Sequence, residues 1–226
     1  MSLKCVMKDY FYKPIKEDEK EHNVLFWGCV HLNHLSEHWT VPIWKHRGYD
    51  SIEEYNLGLV NNWNSKANDK TIGFLLGDSI FGHNAEEKFI KFLKDISFKK
   101  LYVMPGNHLG GYKQIFDSIE ENVYYPEENK EVIFVPNYLE AVIGGQEIVM
   151  SHYPLASWNH QGKGSFMIHS HCHANLYKSE VGKILYKAKI IDVGVENCPY
   201  PISLAEVKKK FRDIENVSFD HHTSLI

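Results

Sequence analysis

The sequence predicts an α/β protein, a four-layer αββα sandwich of two facing mixed sheets flanked by helices. Three observations lead there. Up to about residue 119, short apolar runs alternate with amphipathic segments. From Val132 onward, strand-like runs follow one another with little helical pattern between them. The early apolar runs also end alike, in glycine or proline followed by polar residues. Alternation followed by a strand-rich half suits two sheets packed face to face, with helices outside.

Taken in order, residues 1–22 are polar, with charges running from Lys16 to Glu21, and read as a loosely attached arm. Val24–Trp27 is an apolar run of the kind found in strands buried on both faces. Residues 33–50 read as a loop. Ser51, with Glu54 three residues on, forms a capping box that opens a helix, with Leu57, Val60 and Trp63 as its apolar stripe. Thr71–Leu76 is a second strand. Ala85–Ile96 is an amphipathic helix with Phe89, Phe92, Leu93 and Ile96 on one face. Leu101–Met104 is a third strand, and Tyr112–Ile119 a short helix. Strands are then expected over Val132–Val135, Tyr138–Ile143, Glu147–Met150, Phe166–Ile168 and Lys183–Ile191, and a last helix over Ser203–Phe211. One domain over 23–212 accounts for these elements, leaving 213–226 as a C-terminal tail.

Composition narrows the functional classes. With 43% hydrophobic and 24% charged residues, the chain can bury a core and is not a disordered polymer. Its net charge of −4 disfavours a protein that coats nucleic acid through a basic face. A phosphorylated substrate, nucleic acid included, stays open, because bound metal would make a site locally positive. Cys5, Cys29, Cys172 and Cys198 form neither a zinc-knuckle spacing nor a disulfide framework. Met1–Lys20 lacks the apolar centre of a signal peptide, and no run approaches the ~20 apolar residues of a membrane helix. A soluble protein of a reducing compartment, the cytoplasm, is expected. Fourteen histidines are present, so where they fall is informative.

They fall at strand ends. The first strand delivers Cys29 and His31, the second Asp78, the third Asn107 and His108. Later strands lead into His152 and into His169, His171 and His173. Functional groups of open α/β sheets gather beyond the carboxyl ends of strands. Taken singly, each motif is a turn or a hydrogen-bonded histidine; taken together, five such ends assemble metal-ligand residue types.

The order Cys29-Val30-His31, Gly77-Asp78, Gly106-Asn107-His108, Ser151-His152 and Ser170-His171-Cys172-His173 resembles the calcineurin-like metallophosphoesterases. Their motifs are D-x-H, G-D, G-N-H, a lone His and G-H-x-H. The small bacterial and phage branch is the most similar, through His34, Arg47-Gly48-Tyr49-Asp50-Ser51, Trp63-Asn64 and Asp192-Val193-Gly194-Val195. The resemblance implies a metallophosphoesterase-like sandwich with two divalent ions, zinc, iron or manganese. Asp78 would bridge them. His31, His173 and position 29 would complete one site, and Asn107, His152 and His171 the other. His108 would be the catalytic acid or a donor to the phosphoryl group. The implied reaction is hydrolysis of a phosphate mono- or diester by a metal-bridging hydroxide. His34 and Arg47 are candidates for substrate binding, since an arginine clamps phosphate well.

Three positions depart from the family pattern. Cys29 stands where the family has Asp. Either its thiolate ligates, favouring zinc or iron over magnesium and manganese, or it does not, and one site is weak or empty. Ser170 replaces a glycine. Leu109 follows His108 where an acidic residue is common, which removes a carboxylate that would orient the imidazole. The alternative to an enzyme is therefore a catalytically weakened metal-binding or regulatory module of the same fold. The substrate and the oligomeric state are not legible in the sequence. His169, alternating with His171 and His173, is expected to point away from the ions.

Overall fold

The computed structural model describes residues 15–18, 23–35, 41–82, 85–119 and 122–217. The rest of the expected arm, 1–14 and 19–22, and tail residues 218–226 with His221 and His222, lie outside them. The elements begin with β1 (Ile15–Glu17), β2 (Val24–Trp27), α1 (Ile43–His46), α2 (Ile52–Asn64), β3 (Ile72–Leu76), α3 (Glu86–Asp95) and β4 (Lys100–Met104). There follow α4 (Lys113–Ser118), β5 (Val123–Glu127), β6 (Lys130–Phe134), β7 (Tyr138–Ile143), β8 (Gln146–Ser151) and β9 (Phe166–His169). The last are α5 (Glu180–Leu185), β10 (Ile190–Asp192), β11 (Ile202–Ser203) and α6 (Leu204–Phe211).

Two mixed sheets result. One has the order β11-β2-β3-β4-β6-β5, parallel except for its two edge strands. The other has the order β1-β7-β8-β9-β10, with only the β7–β8 pair antiparallel. Because side chains alternate along a strand, each sheet divides its residues between two cores. Phe26, Phe74 and Met104 of the first sheet share a core with Ile143, Met150 and Ile168 of the second. Across β2, β3 and β4, Phe26 stacks on Phe74 at 5.3 Å and Phe74 on Tyr102 at 4.8 Å, a cross-strand aromatic ladder. The outward set, including Trp27, Leu75 and Val103, packs under Leu59 and Trp63 of α2 and Phe89 and Phe92 of α3. A smaller cluster of Val149, Met167, Ile190, Trp158 and Ala188 covers the other outer face. Helix α6 closes the inter-sheet core beside β11, where Phe211 meets Phe166 edge-on at 4.8 Å. Among the described residues no helix is long and apolar enough to cross a membrane.

Some expectations need correction. Lys183–Ile191 is not one strand. Ser179 caps a helix by accepting the Gly182 N–H, Val181 and Ile184 face solvent, and only Ile190–Asp192 pairs. The α2 stripe is Tyr55, Leu59 and Trp63, while Leu57 is 60% exposed. Within the loop expected over 33–50, Ile43–His46 is a short helix. Within the expected arm, Ile15–Glu17 pairs with β7, and Glu17 accepts hydrogen bonds from Lys100 and Tyr102. β5 contains Pro126, a residue tolerated only where the N–H is not needed, as at this sheet edge.

The α2 assignment separates two leucines by their cost. Leu59→Ala should lower the unfolding free energy by ~2–5 kcal/mol in a denaturant titration, and Leu57→Ala by less than ~0.5 kcal/mol.

Candidate metal centre

Parallel pairing places the ends of β2, β3 and β4 side by side, and the backbone ladder continues beyond them. Cys29 N–H donates to Gly77 O, His31 N–H to Asp78 O and Asp78 N–H to Pro105 O. Gly28 also bridges Gly194, just past β10, so the carboxyl ends of both sheets converge here. Cys29, His31, Asp78, His171 and His173 all have φ between +46° and +67°, left-handed backbone that costs non-glycine residues roughly 1–3 kcal/mol each. Strain concentrated in five ligand-type residues is strain at a site.

The side chains meet where the motifs placed them. His152 Nδ1–H donates to Leu76 O at 3.1 Å, which leaves Nε2 an acceptor. That Nε2 faces Asn107 Oδ1 at 2.9 Å, His171 Nδ1 at 3.2 Å and Asp78 Oδ2 at 3.4 Å. His173 Nδ1–H donates to Glu196 Oε1 at 2.8 Å, so its Nε2 is also an acceptor, 3.2 Å from His31 Nε2. Among the described residues, His31 Nδ1 is buried without a partner. Electron pairs aimed at one spot repel unless a cation lies between them. Metal–nitrogen bonds of ~2.0–2.1 Å at tetrahedral angles put two nitrogens ~3.3 Å apart, close to the observed spacing. Among the described residues, Cys29, His31 and His173 form one group able to hold a metal ion, with ligand atoms within 4.8 Å of one another. Cys29, Asp78 and His152 form a second, and His31, Asp78 and His108 a third.

Asp78 is common to two of these groups. Its Oδ1 accepts the backbone N–H groups of Asn107 and His108, at 3.0 and 3.2 Å, which aims Oδ2 at His152 and at His108, 3.7 Å away. Burial alone would raise its carboxyl, but the contact with His152 and the neighbouring imidazoles outweigh it and hold it low. Burial lowers His31 and His171, reinforced by neighbouring positive groups, so their lone pairs are free at neutral pH. Burial pushes the Cys29 thiol up, more than its hydrogen bonds with Ser170 and His171 N–H pull it down. Such a thiol gives up its proton when a metal ion replaces it.

Other candidates lie close by with different roles. Arg47 is turned inward. Its guanidinium is spent on Glu196, the carbonyls of Cys29 and Val30 and the Tyr55 hydroxyl, and its side chain is 5% exposed. His34 is buried and stacked on Phe81 at 3.9 Å, adjoining His31 without facing solvent, and burial lowers it to about 4. His169 turns away, bonded to Ser170 O and the Tyr186 hydroxyl. Ser170 donates to Leu76 O beside His152 Nδ1. The motif reading missed Glu196. It lies four residues past β10, a further strand end, and that position was the available signal. The reading also missed Tyr153, whose ring lies 4.5 Å from that of His171.

No family model matches the chain. An uncharacterized protein of Methanocaldococcus jannaschii, MJ1445, is 29% identical over 181 residues, covering 80% of this chain and 86% of its own. Among solved structures, a protein of unknown function from Aquifex aeolicus, AQ665, matches with a TM-score of 0.59. That match has 18% identity and covers 84% of this chain and 99% of the other, a likeness of fold alone.

Glycines give a direct test of the site's construction. A Cβ on Gly106 would lie 2.2 Å from Asp78 Oδ1, whereas one on Gly145 meets nothing within 4 Å, though both have positive φ. Each Gly→Ala change should cost ~1–2 kcal/mol of stability from the left-handed backbone. Only Gly106→Ala should also lose bound metal by elemental analysis of purified protein.

Proposed function

We propose that this chain is a metal-dependent phosphoesterase of the calcineurin-like kind, cleaving a phosphate mono- or diester. The observation that carries the reading is Asp78, a buried carboxylate between two sets of ligand-type side chains. Cys29, His31 and His173 would hold one divalent ion, Asn107, His152 and His171 a second, with Asp78 shared. Ions held there supply positive charge to phosphoryl oxygens and lower the pKa of water. The donor set fits zinc or iron on the thiolate side, where a sulfur and two imidazoles gather.

The protein's own contribution is positioning and proton transfer. The side chain of His108 is 39% exposed, so a substrate reaches it from solvent, and Asp78 Oδ2 stands beside it. In this reading it would hand a proton to the departing oxygen. Leu109, 45% exposed, adds no carboxylate next to it, and among the described residues Asp78 is the acidic group that faces this imidazole. A second reading rests on the grouping of His108 with His31 and Asp78, which would make it a ligand in a metal-binding module.

His108→Ala separates the two. As a proton donor, its loss should reduce turnover of p-nitrophenyl phosphate or bis(p-nitrophenyl) phosphate by ~10²–10⁴-fold with metal content unchanged. Loss of metal instead would make it a ligand, and a wild-type protein inert on both esters with every divalent ion would sink the enzymatic reading. Cys29→Asp should shift the preferred metal from zinc or iron toward manganese, read from activity and from retained metal after dialysis. An unchanged preference would mean that the sulfur is not a ligand.

A further inference from the structure

We propose that the Arg47–Glu196 ion pair is the positioning element of one half of the metal centre, that of Cys29, His31 and His173. The other half, Asn107, His152 and His171, stands without it. This rests on the two-ion reading above and goes further, giving each half its own support.

Glu196 Oε1 accepts from His173 Nδ1 at 2.8 Å, from Arg47 Nη2 at 2.6 Å and from Arg47 Nε at 3.0 Å. The same guanidinium donates to Cys29 O at 2.8 Å and Val30 O at 3.1 Å. Tyr55, on α2, donates its hydroxyl proton to Val30 O as well. One carboxylate oxygen and one guanidinium thus tie the loop carrying Cys29 and His31 to the loop carrying His173. The pair does two things. It fixes the tautomer and ring plane of His173, as carboxylates behind metal-binding histidines do. It also neutralises a buried guanidinium that would otherwise repel a cation held by Cys29, His31 and His173.

The other half has separate fastenings. His152 Nδ1 is bonded to Leu76 O. Asn137 clamps Gly106, just before Asn107, accepting its N–H at 2.9 Å and donating to its carbonyl at 2.8 Å. Neither Arg47 nor Glu196 takes part in these bonds.

Cobalt titration of the full chain reads the halves separately. Thiolate-to-cobalt charge-transfer absorption reports the Cys29 half, and bound cobalt per chain reports both. Wild type should bind two equivalents and show the band. Glu196→Ala should weaken the Cys29 half ~10–100-fold, the usual effect of losing a partner behind a ligand, and lose the band while keeping one equivalent. Glu196→Gln keeps an acceptor for His173 and should fall between the two. Asn137→Ala should do the reverse, keeping the band and losing one equivalent. Thermal melting by circular dichroism checks folding, and if Glu196→Ala does not fold, the intermediate weakening of the band is read on Glu196→Gln, where a band at wild-type affinity overturns the proposal. An Ala variant that keeps the band at wild-type affinity, or releases both ions together, overturns the proposal. A wild type that binds fewer than two equivalents overturns the two-ion reading and this proposal with it, a failure visible before any variant is made.

Discussion

Imidazole nitrogens, a thiol, an amide oxygen and a carboxylate are crowded onto one partly buried spot, and their mutual repulsion is the constraint around which the molecule is organised. His152 Nε2 and His173 Nε2 each have the opposite ring nitrogen committed to a donor bond. Neither can relieve the crowding by rotating without breaking that bond. The backbone beneath them is strained in the left-handed region at five of the contributing residues. Polar convergence and backbone strain both cost stability, so the aromatic ladder and the two cores flanking the six-stranded sheet must supply it. The sheet holds in place what the site alone would push apart.

Much of this was legible in the sequence because the signals were local. The strand over Val24–Trp27 and the helix over Ala85–Ile96 are short patterns closed by strong punctuation, and the structure reproduces them within a residue or so at each end. The ligand-type residues were legible as motifs at strand ends, and the structure brings them together. What was not legible depends on partners distant in the chain. Arg47 read as a phosphate clamp, because nothing local reveals a carboxylate 149 residues away that takes its charge. The phase of the α2 stripe was misjudged, since Leu57 and Leu59 are equally apolar and only the packed sheet distinguishes them. Lys183–Ile191 reads as a strand because its apolar residues suit one, but its first three residues are the end of a helix that Ser179 caps.

Position 170 shows how one side chain at a strand end constrains another. Ser170 supplies a hydroxyl that donates to Leu76 O, the carbonyl that also holds His152. The cost appears opposite it, at Gly28. A Cβ there would lie 2.6 Å from Ser170 Cβ, so the extra side chain at one strand end requires the absence of one at another. Gly28→Ala would therefore clash with Ser170, although neither residue is among the ligand types.

Strand β11 lies beside β2, so the last strand of the chain borders the first strand of its sheet. During synthesis, β2 to β6 can assemble while Ile202–Phe211 is still being made. Until then the Phe166 end of the inter-sheet core has no cover, and the β2 edge is open to another strand. A ribosome-bound or truncated chain lacking this segment would present both apolar surface and unpaired backbone, the two features that recruit chaperones or lead to aggregation. Ile202–Phe211 thus acts as a closure of the sheet edge and of the inter-sheet core.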